Sequence, residues 1–280
     1  MIGAVAGDII GSVHEFAGTK TKDFPLFTPG STFTDDTVLT VAVAEWILTG
    51  EDLVDLFHRY TRANPGRGYG GGFRRWAARR DRKPYGSYGN GAAMRVGPVG
   101  FAFDTIEEVL DRAARSAAVT HDHPEGIRGA QATAAAVFLA RRCKDREEIR
   151  RTIESRFGYD LSGTLDGIRS SYRFDETCQG TVPQALIAFL ESDGYEDAVR
   201  NAISLGGDAD TLACIAGGIA EAFYGGVPLE IVARALEILD EPLRVIVRRF
   251  HSWTATASHG ERANRPPDSP SPLPPRIGIA

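Results

Sequence analysis

The 280-residue chain is short of cysteine, has no long apolar run and carries no excess of positive charge. Its three cysteines, Cys143, Cys178 and Cys214, are odd in number and widely spaced. That pattern argues against a disulfide framework or a cysteine-based zinc site, and it suits a reducing compartment such as the cytoplasm. No stretch reaches the roughly eighteen apolar residues of a spanning helix, so no membrane partner is expected. No basic segment precedes the apolar N-terminal stretch and Asp8 interrupts it, which argues against a signal peptide. The formal net charge is −5 and the sequence pI near 5.7. Such a balance gives no electrostatic case for nucleic-acid binding over the whole surface, although a local basic patch stays open.

What is there is helical. Apolar residues make up 42% of the chain and charged residues 25%, an ordinary soluble composition. Apolar positions recur at i, i+3, i+4 and i+7 over most of 35–49, 106–117, 126–142, 146–156, 180–190, 195–205, 210–224, 229–239 and 242–252. Asp104 or Thr105, Asp145 and Pro228 supply helix starts of the expected chemistry. No series of alternating strands is visible. The fold class expected is all-α: one compact helical domain over residues 1–253, with long functional loops at 17–33 and 61–100. From Thr254 onward the chain is proline-rich and aperiodic, which predicts a disordered or polyproline-like tail over 254–280. A monomer is the default.

Two short stretches concentrate negative charge. FTDDTVLT (33–40) places Asp35 and Asp36 behind Thr34, and GGDADTLACIAGG (206–218) places Asp208 and Asp210 ahead of Thr211. Each stands where an apolar helix begins, so each can be read as a helix cap set against the positive end of the helix dipole. Alternatively the four acids converge. Like carboxylates repel strongly at short range, so convergence requires a cation between them. Four carboxylates and two threonine hydroxyls form an all-oxygen donor set suited to Mg²⁺ or Mn²⁺, and four aspartates balance two divalent ions. Gly217 and Gly218 would let a second helix approach the one that follows Asp210.

A third stretch is rich in glycine. Gly86, Gly89 and Gly91, with Ser87, Tyr88 and Asn90 between them, make a loop whose backbone N–H groups can face an anion. The AAMR that follows opens a helix. The same loop can equally be a plain connector, and Arg95 can pair with phosphate or with an internal acid. Upstream, GRGYGGGFRRW is flexible and basic. His121 and His123 in THDHPEG either cap the next helix with Asp122 or present an imidazole to a ligand. Cys178 reads as packing, since no chemistry here requires a thiolate. Asp8 reads as a structural acid near the turns at Gly7 and Gly11.

GAVAGDIIGSVHEF, FTDDT, YGSYGNGAAMRVGPVG, THDHPEG and SLGGDADTLACIAGGIAEAFYG occur in the order and compatible spacing of the ADP-ribosylglycohydrolases. The chain resembles that family over about residues 1–252. The resemblance implies an all-α domain with a binuclear Mg²⁺ centre in a cleft, Mn²⁺ being a possible substitute. The implied reaction hydrolyses the bond between C1″ of the distal ribose of ADP-ribose and an amino-acid side chain. It assigns Thr34, Asp35, Asp36, Asp208, Asp210 and Thr211 as metal ligands, and Glu15, Asp35 and Asp210 to catalysis. It places ADP-ribose against Ser87, Tyr88, Gly89, Asn90, Gly91, Arg95, His121 and His123. Gln179 would border the site.

The chain departs from the family's pattern at residues 64–76, which lack the aspartate that many relatives carry there. The implied partner is an ADP-ribosylated protein bearing modified arginine or serine. The alternatives are ADP-ribosylated nucleic acid, O-acetyl-ADP-ribose, or a non-catalytic binding or structural relative. Because all six expected ligands are present, the last is the weaker reading.

Overall fold

Fifteen helices account for the regular structure of residues 1–257, the part of the chain that the computed structural model describes. In order they are α1 (Ile2–Gly11), α2 (Asp35–Thr49), α3 (Leu53–Ala63), α4 (Gly71–Arg79), α5 (Gly91–Met94), α6 (Gly97–Ala102), α7 (Ile106–Ala118) and α8 (Pro124–Arg142). The rest are α9 (Arg146–Phe157), α10 (Leu165–Arg169), α11 (Cys178–Leu190), α12 (Tyr195–Ser204), α13 (Ala209–Tyr224), α14 (Leu229–Ile238) and α15 (Glu241–Ala257). Among the described residues the only β feature is an isolated antiparallel bridge between Gly89 and Thr177. The all-α expectation holds. No helix of the described residues is long and apolar enough to cross a membrane.

The nine helices expected from periodicity are all present, with ends within a few residues except at α15. That helix runs on through Ala257, so Thr254–Ala257 are helical, and the remainder of the expected tail lies outside the described residues. The caps follow the sequence. Thr105 accepts from Glu108 N–H, and Asp145 accepts from the N–H groups of Glu147 and Glu148.

Residues 17–33 carry no helix beyond the turn at their start, as expected. The second expected loop differs, because 61–100 contains α4, α5 and most of α6. Short, glycine-rich helices such as α5 and α6 have too few turns to show a period. The turns expected at Gly7 and Gly11 are instead the interior and last turn of α1.

Helix α13 is the centre of the molecule. Every residue from Ala209 to Ala222 is buried, and α1, α2, α5, α6, α8, α11 and α12 all pack on it. A helix surrounded on all sides is apolar all round rather than striped, which is what TLACIAGGIA supplies. Small residues set the spacing. Gly3, Gly7 and Gly11 recur every fourth position, so they share one face of α1. A Cβ at Gly3 would stand 2.5 Å from the Gly217 carbonyl oxygen, and one at Gly7 would stand 2.1 Å from that of Ala213. The two helices therefore touch backbone to backbone, as the glycine pair in α13 leads one to expect.

Two of the three cysteines belong to this core. Cys178 and Cys214 are buried and Cys143 is exposed. Burial pushes the Cys178 thiol up to about 12 and raises that of Cys214 as well. A thiol-specific reagent should titrate one cysteine, Cys143, in the native protein and all three in guanidinium. Rapid modification of Cys178 in the folded protein would contradict this packing.

Candidate active site

The two acidic stretches meet. Thr34 is the N-cap of α2 and its side chain accepts from Asp36 N–H. This places Asp35 and Asp36 in the first turn. Asp35 N–H donates to the Arg67 carbonyl at 2.6 Å, which ties the start of α2 to the segment before α4. At the other stretch, Gly206 (φ +60°) and Gly207 (φ +112°) turn the chain through the left-handed region that glycine tolerates. Asp208 then stands at the N-cap of α13, with Asp210 in its first turn. The Thr211 hydroxyl donates to Asp36 Oδ2 at 3.4 Å across 175 residues of chain. The packing of α1 on α13 and the anchoring of α2 to α1 bring these helix starts together.

Asp8 does the anchoring. This buried residue of α1 accepts from the Thr34 N–H at 3.0 Å and the Thr34 hydroxyl at 2.7 Å. It also accepts from the Thr37 N–H at 3.1 Å and from the Thr37 hydroxyl. The structural role expected for Asp8 is met, although it holds the start of α2 rather than a turn of its own. Asp8 also belongs to the acid cluster: carboxylate oxygens of Asp8, Asp36 and Asp210 all lie within 4.8 Å of one another, and the same is true of Glu15, Asp208 and Asp210. The second trio brings Glu15 to the cluster, a placement that only its GDIIGSVHEF context suggests in the sequence.

The electrostatics of this arrangement are unfavourable. Burial is the largest cause that raises the carboxyl groups of Asp35, Asp36 and Asp210, and their acidic neighbours add to it. Glu15 is pushed up to about 7 by burial, then by Asp208 and Asp8. Among the described residues no lysine, arginine or histidine forms an ion pair with any of the six acids. Asp36 Oδ1 is buried without a hydrogen-bond partner. Clustered, unpaired carboxylate oxygens of this kind fit a hard divalent cation. The acids can hold a metal ion. The Thr34 hydroxyl is already engaged by Asp8, whereas Thr211, Asp35, Asp36, Asp208 and Asp210 all line the cleft.

That cleft opens to solvent and holds ≈ 200 Å³ of space that water can enter. The glycine-rich loop forms one wall. Its N–H groups are partly spent on the protein itself. Gly86 donates to Asp122 Oδ1, Gly89 to Ser87 Oγ and Asn90 to the Glu176 carbonyl. The side chain of Asn90 donates to Asp208 Oδ2 at 2.7 Å and to Thr181 Oγ1 at 3.0 Å, so this residue links the loop to the acid cluster. Ser87, Gly89, Asn90, Gly91, Arg95 and His121 line the cleft.

Tyr88 and His123 are not part of that lining. Their rings stand 5.3 Å apart outside it, and His123 caps α8 by accepting from Glu125 N–H. Asp122, expected to share the cap, holds the loop at Gly86 instead. Arg95 is fully buried and makes no ion pair among the described residues.

Several lining residues escaped the sequence reading. Glu176 takes the place expected of Gln179, while Phe174, Tyr85, Phe73, Leu39 and Met94 complete the walls. The flexible segment before α4 does border the cleft, through Gly68 and Gly70–Gly72. Close approach explains one of these glycines, since a Cβ at Gly68 would stand 3.2 Å from Asp35 Oδ1. The FDET stretch at 174–177 sets Asp175 and Glu176 side by side ahead of the cap Thr177, a clustering of the FTDDT kind that could have flagged it.

Comparison with known proteins points the same way. The family model described as ADP-ribosylglycohydrolase matches residues 1–260. ADP-ribosylhydrolase ARH3 of Mus musculus is 29% identical over an alignment that covers 80% of this chain and 82% of the relative. The Bos taurus protein of that name is 30% identical, covering 80% and 84%. ADP-ribosylarginine hydrolase Tri1 of Pseudomonas putida (strain GB-1) is 32% identical over 52% of this chain and 42% of its own. Among solved structures, an ADP-ribosylglycohydrolase-related protein complex superposes with a TM-score of 0.64 at 26% identity, covering 90% of this chain and 97% of that one.

Proposed function

From the premise that the chain belongs to the ADP-ribosylglycohydrolase family and is a glycosidase-type hydrolase, we propose that it releases ADP-ribose from modified arginine or serine side chains of proteins by cleavage at C1″ of the distal ribose. The observation that carries this reading is the meeting of acids from two remote helix starts, buried and without counter-charges, on the floor of a cleft open to solvent. Asp35, Asp36, Asp208, Asp210 and Thr211 would hold two divalent cations, Mg²⁺ or Mn²⁺. Bound there, the cations supply positive charge that orients ribose hydroxyls and acidifies a water.

The protein's own groups do the rest. Cleavage builds oxocarbenium character on the distal ribose, so a carboxylate not spent on the cations, such as Glu15, would stabilise the transition state more than the ground state. Glu15 is half-buried beside Asp208 and Asp210, and its carboxyl is raised to about 7. A carboxyl so placed can take a proton from the attacking water or give one to the leaving side chain. Asn90 fixes the rotamer of Asp208, and the loop that carries Asn90 aligns the pyrophosphate beside Ser87, Gly89 and Gly91.

The test is a turnover panel with arginine-, serine- and nucleic-acid-linked ADP-ribose, each with Mg²⁺, Mn²⁺ or EDTA. Free ADP-ribose should appear from a protein-linked substrate, stop in EDTA and return with Mg²⁺. Turnover indifferent to EDTA would remove the cations from the reading. Turnover confined to nucleic-acid-linked substrate would replace its target.

A further inference from the structure

We infer that two buried residues, Arg95 and Thr120, act as positioning residues that hold His121 as a neutral imidazole with its Nε2–H directed into the cleft. The relay of contacts starts at Arg95. Its guanidinium is fully buried, lies 4.5 Å over the Phe57 ring and donates through Nη2 to the Ser116 carbonyl at 2.8 Å and Thr120 Oγ1 at 3.0 Å. Its Nε and Nη1 have no partner. Burial brings its pKa down only to about 10, so the group stays charged at neutral pH.

Thr120 Oγ1 in turn lies 2.7 Å from His121 Nδ1. A guanidinium nitrogen only donates, so the Thr120 oxygen is the acceptor towards Arg95. Its one hydroxyl proton then has a single protein acceptor within reach, His121 Nδ1. That direction leaves Nδ1 bare and puts the ring proton on Nε2. The opposite tautomer would strand the hydroxyl proton of a fully buried residue, which costs free energy comparable to a lost hydrogen bond. The doubly protonated ring is opposed by burial and by the Arg95 charge, which together hold His121 well below its ordinary value. Tautomer and charge state follow from the same two neighbours.

The free nitrogen faces the ligand loop. A Cβ built at Gly91 would lie 3.2 Å from His121 Nε2 and one at Gly89 3.6 Å from it. His121 lines the cleft, and Nε2 makes no hydrogen bond among the described residues. A neutral N–H in this place donates to an oxygen of an anionic ligand lying along the loop. With the proposed function, whose substrate class this step adopts, that oxygen belongs to the pyrophosphate or ribose of ADP-ribose. Arg95 thereby contributes through Thr120 and His121.

Side-chain ¹⁵N NMR of the full chain tests this, with the His121 signals assigned through His121→Gln. The wild type should show the Nε2–H tautomer at neutral pH. Thr120→Val keeps the shape and removes the hydroxyl. It should give mixed tautomers and bind ADP-ribose about five- to tenfold more weakly by calorimetry, the scale of one hydrogen bond. KM should rise with kcat little changed, and Thr120→Ser should restore tautomer and affinity together. An Nδ1–H tautomer or an imidazolium in the wild type would overturn the inference, as would a Thr120→Val protein with wild-type spectra and affinity. Expected spectra in a protein that does not bind ADP-ribose would sink the proposed function alone and leave the positioning of His121 supported.

Discussion

Asp210→Asn is expected to lower kcat/KM for ADP-ribosyl hydrolysis by about a thousandfold or more, roughly 4 kcal/mol of transition-state stabilisation. The same substitution should raise the melting temperature of the metal-free protein. Both effects come from one fact of geometry. Asp210 belongs to both acid trios, so it is the carboxylate that Asp8, Asp36, Asp208 and Glu15 all crowd. Its carboxyl is raised first by burial and then by Asp36 and Asp208, which means the charged form is the costly one in the folded state.

A raised folded-state pKa takes stability away as pH climbs past the unfolded value, so the cost is present at neutral pH. An asparagine of nearly the same shape removes that cost. It also removes the charge that would be shared between two cations. Melting curves in EDTA and in Mg²⁺ separate the two effects. The wild type should gain from Mg²⁺ by mass action, and the variant should gain less. A chain this size shifts by about 2–4 °C per kcal/mol, so both differences are readable. A variant that hydrolyses at the wild-type rate would dismiss the cluster as a metal cage.

The sequence shows the acids more clearly than the helix that aims them. Thr34, Asp35, Asp36, Asp208, Asp210 and Thr211 announce themselves because charge and hydroxyl at a helix start are chemically conspicuous. Asp8 does not, although it fixes the start of α2 with four hydrogen bonds, because a single acid within IGAVAGDIIG suggests a turn. Three glycines in ten residues hide a helix whose stability comes from tertiary contact rather than propensity.

α3 is a different kind of omission. Leu53, Leu56, Phe57 and Tyr60 lie at helical spacing behind the cap Asp52, so that signal was present in the sequence. Loop chemistry was legible only in part. Glycines at 86, 89 and 91 mark a backbone that approaches something closely, but which N–H groups stay free depends on Asp122 and Glu176, residues that reach the loop only through the fold. The burial of Arg95 is likewise invisible in AAMR.

Gly7→Ala should be the most damaging methyl in the molecule, costing about 3 kcal/mol or more in a helix where alanine is otherwise preferred by about 1 kcal/mol. The added Cβ would stand 2.1 Å from the Ala213 carbonyl oxygen, 2.6 Å from its carbon and 3.0 Å from Cys214 N. All three are backbone atoms of a fully buried helix, so no side chain can turn aside and α1 itself must move. Gly218→Ala is the control. Its Cβ would meet only the Ala4 Cβ at 3.4 Å, an ordinary contact, and that variant should melt within a few degrees of the wild type. The displacement at Gly7 has a second consequence. Asp8 is the next residue, and moving it loosens its hold on Thr34 and Thr37, and so on the turn that carries Asp35 and Asp36. Gly7→Ala should therefore lose hydrolysis below its own melting transition. Equal melting curves for the two glycine variants would mean that α1 and α13 do not meet backbone to backbone, and the acid cluster would lose the contact that assembles it.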